Sequence, residues 1–338
     1  MENILEIKNL TTSFFTSSGE VQAVRGISYS LKKGECLGIV GESGSGKSVS
    51  SMSILKLLPG TARIKAGEIL FGGMDLSKMT PHQLRKVRGN RISIVFQDPM
   101  SSLNPLLPVG EQVGEMLWEH DKAMSKAQRR QKVLELFEMV RIPEPEKRYK
   151  SFPHEFSGGM RQRVMIAMAL ACSPELLIAD EPTTALDVTI QDQILRLMKK
   201  LQEEMGTSIL FITHDLGVIA QLCTRVIVMY GGMIMEEAPI DEIFYAPRHP
   251  YTMGLLASVP GIHQDKAERL KPIPGSPPDM LAPPQGCPFA PRCPYARRIC
   301  AQQMPQEYRV NENHRSLCWL LDPQAPEEDN PFREARHG

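Results

Sequence analysis

An α/β domain with a small Cys-rich C-terminal extension is the fold class the sequence predicts, on three observations. Short apolar, strand-like runs alternate with segments of helical spacing through most of the first 240 residues. A glycine-rich loop stands between one such run and one such segment. After about Tyr245 prolines become frequent, helical periodicity turns patchy, and four of the seven cysteines appear. Alternating strands and helices are the pattern of a sheet covered by helices. The change of texture places a domain boundary near Pro247, dividing the chain into residues 1–246 and 247–338.

Taken in order, "ILEIKNL" (residues 4–10) alternates like a half-buried strand, and "ECLGIV" and "ELLIAD" are apolar runs ending in polar residues, as core strands do. "SILFITHD" is a fourth. Residues 125–141 and 189–205 space Leu, Val, Met and Ile between charges at helical intervals. "RVIVMYGGMIMEE" reads as a hairpin turning at Gly231-Gly232. No internal repeat is visible.

With 338 residues, 42% hydrophobic and 23% charged, the chain suffices for one large domain plus an appendage and is too apolar to be disordered. Its 39 basic and 39 acidic residues cancel, so it lacks the global positive field that nucleic-acid binders use, and anion binding must be local. The start, "MENILEIKNL", has neither the basic stretch nor the apolar run of a signal peptide, and no apolar run approaches the ~18 residues of a spanning helix. The expectation is a cytosolic chain that reaches a membrane only through a partner.

"GESGSGKS" fits G-x-x-x-x-G-K-[ST] directly after "CLGIV" and before the helix-like "SVSSMSILKLL". Gly41, Glu42, Ser43, Gly44, Ser45 and Gly46 would curl backbone N–H groups around phosphate oxygens, with Val49 just beyond in the helix. Lys47 would reach the β- and γ-phosphates of ATP, and Ser48 would ligate Mg2+. In "LLIADE", Asp180 and Glu181 end an apolar strand, where two acids are costly unless they serve a charge. Asp180 suits the magnesium shell; Glu181 suits positioning or deprotonating the attacking water.

"FSGGMRQR", residues 156–163, stands before the apolar "VMIAMALAC" and upstream of "DEP". It resembles the signature motif of ABC-type ATPases, usually LSGGQ, departing at Phe156 and Met160 but keeping Ser157-Gly158-Gly159 at a helix N-terminus. Further matches follow in the family's order: Gln97 in "VFQDP" as the Q-loop, Ala185-Leu186-Asp187 as the D-loop, and His214 in "ITHD" as the switch histidine. Phe14 sits where the family places an aromatic on adenine. The resemblance spans about residues 4–245. It implies a mixed core sheet, an antiparallel β subdomain and a helical signature subdomain at about 98–172. It also implies catalytic roles for Glu181, His214 and Gln97, a magnesium shell of Ser48, Gln97 and Asp180, and nucleotide contacts from Ser157, Gly158, Gly159 and Asp187 across a head-to-tail dimer.

The stretches "APRHPYTMGLLASVPG" and "GCPFAPRCPYARRIC" are similar to the C-terminal extension of oligopeptide and dipeptide importer ATPases, as are "GESGSGKSVS", "FQDPMSSLNP" and "LLIADEPTTALDVTIQ". This implies peptide import, with a second homologous ATPase subunit as heterodimer partner, two transmembrane permease subunits and an extracytoplasmic peptide-binding protein. The place implied is the cytoplasmic face of the inner membrane, peripherally bound. An importer of another small solute, such as nickel or glutathione, stays open, as does a soluble ABC ATPase acting on nucleic acid, which the neutral charge disfavours.

Cys36, Cys172 and Cys223 sit singly in apolar surroundings that suit inert core thiols. Cys287, Cys293, Cys300 and Cys318 are spaced x5, x6 and x17. Disulfides are disfavoured in a reducing cytosol, and the C-x(2–4)-C pairs of zinc ribbons are missing. Four thiolates suit a 4Fe-4S cluster, and the family resemblance supports it; four free cysteines in a Pro-rich loop is the other reading. A metal staple would help some 90 residues with few periodic apolar positions to hold a fold.

Overall fold

The computed structural model describes residues 2–98, 102–184, 187–259 and 272–332. Two compact units share them: one from Met1–Leu5, Leu31–Cys36 and Phe71–Ile212, the other from Glu6–Ser30, Leu37–Leu70 and Thr213–Gly338. In chain order the elements are β1 (Asn3–Thr16), β2 (Gly19–Lys32), β3 (Cys36–Val40), α1 (Lys47–Ile54), β4 (Ala62–Phe71), β5 (Met74–Asp75), α2 (Pro81–Arg85) and β6 (Ile92–Val95). Then come α3 (Val109–His120), α4 (Lys126–Met139), α5 (Pro145–Arg148), α6 (Gly158–Leu170), β7 (Leu176–Asp180), α7 (Val188–Met205), β8 (Ser208–Thr213) and α8 (Leu216–Leu222). The last are β9 (Arg225–Tyr230), β10 (Met233–Pro239), α9 (Ile240–Tyr245), α10 (Pro250–Ala257), α11 (Arg298–Gln302), β11 (Tyr308–Arg309) and β12 (Arg315–Ser316).

In the first unit β6, β7 and β8 run parallel, with Ile92 opposite Leu176 and Leu176 opposite Ser208. Every residue of β7 and β8 is buried, which is why these strands read as unbroken apolar runs and not as alternation. The helical spacing of residues 125–141 becomes α4, started by a capping box between Ser125 and Gln128 and burying Val133, Leu134, Leu136 and Phe137. That of 189–205 becomes α7, capped by Asp187, burying Ile194, Leu195, Met198 and Leu201, and ending at Gly206 in the left-handed conformation. Helices α3, α4 and α6 pack on one another.

In the second unit β1 lies between β2 and β4. Strand β3 pairs in parallel with β9, and β9 turns at Gly231-Gly232 into antiparallel β10, Tyr230 opposite Met233, as the sequence predicts. The sheet then continues with residues from the C-terminal stretch: β12 pairs with β10, Glu236 opposite Ser316, and β11 pairs with β12. Charges fasten this edge. Glu237 pairs with both Arg225 and Arg315, and fully buried Glu236 meets His314 Nε2 at 2.8 Å while His314 Nδ1 meets Glu242 at 2.8 Å. Cys318, Leu320 and Phe332 form a small core with Met253, Tyr295 and Leu321. Among the described residues no helix is long and apolar enough to cross a membrane.

Candidate nucleotide-binding site

Strand β3 ends at Val40 and α1 begins at Lys47, and glycines make the loop between them possible. A Cβ at Gly41 would lie 2.2 Å from the Met229 carbonyl oxygen; at Gly46, where φ is 98°, it would lie 2.4 Å from that of Ala23. Only a residue without a side chain tolerates that approach. Lys47 is 5% exposed, and its Nζ donates to the carbonyl oxygens of Gly41 at 2.7 Å and Glu42 at 2.9 Å. A buried ammonium is thus held over the loop. Gly46 supplies no side-chain cap to α1, and no acid sits in its first turn, so no cap or acid of its own offsets the electropositive end of the helix. Ser43 and Gly44 are exposed, Ser45 is buried, and Ser48 and Val49 are half-buried. Phe14 is half-buried on β1 beside exposed Phe15, over whose ring Arg63 lies at 5.7 Å. His214 follows β8 and is exposed; Asp215 caps α8.

In the other unit Asp180, 5% exposed, closes β7. Glu181 follows in the left-handed region, φ 48°, a strained conformation for a non-glycine residue, its N–H donating to the Ile212 carbonyl at 2.9 Å. Its Oε2 accepts from Gln97 Nε2 at 2.8 Å and from Thr184 Oγ1 at 2.9 Å. Gln97, Glu181 and Thr184 therefore meet around one carboxylate. Ser157 caps α6, accepting from the Met160 N–H at 3.3 Å; Gly158 is exposed, and Gly159 faces Ile190. Phe156 is buried beneath the Arg148 guanidinium. Asp187 accepts from the Ile190 N–H at 3.0 Å; Ala185 and Leu186 lie outside the described residues.

Cys287, Cys293, Cys300 and Cys318 line one pocket, walled by Phe289, Tyr295 and Leu320. Burial pushes the Cys287 thiol up to about 12 and the Cys293 thiol to about 11, and raises Cys318 as well. Among the described residues no group of three or more His, Cys, Asp or Glu side chains is arranged to hold a metal ion. Cys36 and Cys223 are buried, and Cys172 is half-buried with its thiol raised by burial.

Residues 24–184 match the family model described as ABC transporter, and residues 235–300 match that described as Oligopeptide/dipeptide transporter, C-terminal region. The chain is 56% identical to the Oligopeptide transport ATP-binding protein OppD of Bacillus subtilis (strain 168), over 97% of this chain and 92% of that one. It belongs to the ATP-binding proteins of the oligopeptide/dipeptide ABC transporters. The Dipeptide transport ATP-binding protein DppD of the same organism is another member, 53% identical over 96% of this chain and 97% of its own. A solved cassette of the wider ABC fold is similar too. It is the ATP-binding cassette MJ0796, dimeric in a post-hydrolysis state with ADP and Pi, with a TM-score of 0.64 and 33% identity over 70% of this chain and 98% of that one. The fold of an ABC ATPase is therefore established for this oligopeptide/dipeptide-transporter member.

Two residues of interest escaped the sequence reading. Thr184 reaches the Glu181 carboxylate from "EPTT", where a hydroxyl three residues after an acid was the available signal. Arg292 lies between two of the clustered cysteines, and its side chain is bound to Glu42 of the glycine-rich loop.

Proposed function

We propose that this chain is the ATP-hydrolysing subunit that energises import of di- and oligopeptides across the cytoplasmic membrane. The observation that carries the reading is the presence, in one chain, of the Gly41–Ser48 loop and a C-terminal region matched to peptide transporters. Residues 1–246 are the ATPase domain, with a helical subdomain at about 98–172, and 247–338 the importer-type extension.

When ATP enters, Lys47 exchanges the neutral carbonyls of Gly41 and Glu42 for anionic β- and γ-oxygens, a stronger class of hydrogen bond. The amides of Gly41 to Val49 cradle the phosphates, and Phe14 stacks on adenine. Ser48, Asp180 and Gln97 would hold Mg2+, which would supply positive charge against the phosphates. Glu181 accepts the proton of the attacking water or orients it, while Gln97 and Thr184 aim its carboxylate and His214 serves as the switch. Ser157, Gly158, Gly159 and Asp187 serve a nucleotide held by a second, homologous ATPase subunit. Closure and reopening of that pair work two permease subunits. An extracytoplasmic binding protein supplies peptide, and the ATPase works at the cytoplasmic face, peripherally.

The four clustered cysteines suit a 4Fe-4S cluster. They form an all-thiol donor set around one apolar pocket, the kind of ligand set such a cluster takes. Cys287, Cys293, Cys300 and Cys318 would hold it, and it would staple the extension. Protein purified without oxygen should be brown and carry about four irons per chain, as that centre requires; colourless protein with stoichiometric zinc contradicts this part. For the ATPase reading, Mg-ATP should bind the isolated chain and lose affinity in Lys47→Ala, and peptide with its binding protein should stimulate turnover of the assembled transporter. Turnover indifferent to peptide, or stimulated by nucleic acid, contradicts it.

A further inference from the structure

An arginine between two cysteines in a Pro-rich stretch, "CPFAPRC", ordinarily reads as a solvated charge. Arg292 is not one. Its side chain is 6% exposed, and each of the five N–H donors of its guanidinium has an acceptor. Nε donates to the Pro274 carbonyl at 2.8 Å. Nη1 donates to Glu42 Oε2 at 2.6 Å and to the Tyr230 hydroxyl at 3.0 Å. Nη2 donates to Glu42 Oε1 at 3.1 Å and to the Ile273 carbonyl at 3.1 Å. The two parallel bonds to Glu42 form the forked arrangement that a planar guanidinium makes and a lysine cannot.

Glu42 is the second residue of the glycine-rich loop. Its N–H donates to the Tyr251 hydroxyl at 2.8 Å, and its carbonyl accepts from Lys47 at 2.9 Å. Tyr230, Tyr251 and Phe289 pack ring to ring around the pair, with centroids 4.6 to 5.4 Å apart. Main chain and side chain of one loop residue are thus both gripped by residues beyond Pro247. The charge is as telling as the geometry. A carboxylate in a loop built to receive a triphosphate repels its ligand unless a cation cancels it, and Arg292 is the cation in contact.

We propose that Arg292 is a positioning residue for the nucleotide, acting from the C-terminal extension through Glu42: it cancels the carboxylate and fixes the second residue of the phosphate-binding loop. The inference rests on the ATP-binding reading of that loop. Removing the buried Arg292 cation leaves the half-buried, hydrogen-bonded Glu42 carboxylate uncompensated beside the phosphates, so Arg292→Gln should weaken Mg-ATP binding roughly ten- to a hundredfold. Arg292→Lys keeps the charge without the fork and should fall between.

The test is a double-mutant cycle on the isolated full chain, reading Kd for Mg-ATP, with circular dichroism to check folding. Glu42→Gln removes the charge that needs cancelling, so Arg292→Gln/Glu42→Gln should bind within about threefold of Glu42→Gln alone, a coupling that independent sites would not show. A merely structural role, serving the carbonyls of Ile273 and Pro274, predicts no such rescue. If Arg292→Gln fails to fold, Arg292→Lys with and without Glu42→Gln runs the same cycle. Wild-type affinity in Arg292→Gln, or a double variant as weak as the single, overturns the proposal. Lys47→Ala separates the two levels. Wild-type binding that this variant loses and Arg292→Gln retains sinks the Arg292 role alone, whereas no binding by the wild type sinks both.

Discussion

Gly158 and Gly159 open α6 side by side, yet a methyl group at each would meet different surroundings. At Gly159 it would lie 2.8 Å from Cγ2 and 3.4 Å from Cγ1 of Ile190; at Gly158, which is exposed, it would meet no atom of the described residues within 4 Å beyond its chain neighbours and its own helix backbone. Gly158→Ala should therefore leave the fold intact and, by helix propensity, stabilise it by up to about 1 kcal/mol. That is a rise in Tm of about 2–4 °C or less. Gly159→Ala must push Ile190 aside at an overpacking cost of about 1–3 kcal/mol, and should melt several degrees lower. If this segment serves a nucleotide on a partner subunit, the open space beside Gly158 is the space a phosphate needs. Losing one hydrogen bond from an amide to a charged group costs about 1.5–3 kcal/mol, or roughly ten- to 150-fold in turnover. Three readings decide: Tm, Mg-ATP binding by the isolated chain, and ATP turnover of the assembled transporter. Gly158→Ala should match the wild type in the first two and fall at least tenfold in the third. Unchanged turnover would refute use of this segment across a subunit boundary, and lost binding in the isolated chain would mean that it serves its own nucleotide.

Glu181→Gln should bind ATP yet lose about 10²–10⁴-fold in turnover, the usual cost of a missing general base; near-normal turnover in the assembled transporter removes Glu181 from the mechanism. Thr184→Val, which takes away one hydrogen bond to that carboxylate, should slow turnover roughly tenfold and leave ATP binding unchanged. Burial pulls the pKa of His314 down, but hydrogen bonds and charges from Glu236 and Glu242 outweigh it and hold the imidazole above its ordinary 6.5. The resulting stability is fully present below the unfolded value near 6.5 and is lost as pH rises through the higher folded value. Unfolding monitored from pH 6 upward should show this loss in the wild type and a flatter profile in His314→Gln, and parallel profiles would remove the His314 clamp from the account. If the four clustered cysteines hold an iron–sulfur centre, Cys293→Ser should strip the iron and loosen residues from about 285 to 320, because the metal-binding energy would then also be folding energy; iron retained at full stoichiometry would exclude Cys293 as a ligand.

What the sequence made legible follows from what sequence periodicity encodes. β7 and β8 are buried on both faces, so their apolar runs are unbroken; α4 and α7 bury one face, so theirs are periodic. The glycine-rich loop is visible because close backbone approach at Gly41 and Gly46 forbids every other residue. β11 and β12 have two residues each, too few to show any period; β12 is held by β10, distant in the chain, and β11 by β12. The meeting of Gln97 with Glu181 and of Arg292 with Glu42 spans long sequence separations through polar side chains, which carry no periodic signature. Cysteine spacing suggested a common ligand without revealing that the four thiols surround one pocket.

The central claim, that nucleotide turnover by this chain drives peptide across a membrane, is tested most directly by uptake. The two permease subunits, this chain and its partner ATPase would be placed in vesicles so that the ATPases face the ATP compartment, and labelled dipeptide and its binding protein would be added on the opposite side. Uptake should require ATP, cease with Glu181→Gln in this chain, and keep a constant ratio to phosphate released as ATP is varied. Peptide accumulation that persists in Glu181→Gln, or brisk hydrolysis without accumulation of any peptide, would contradict it.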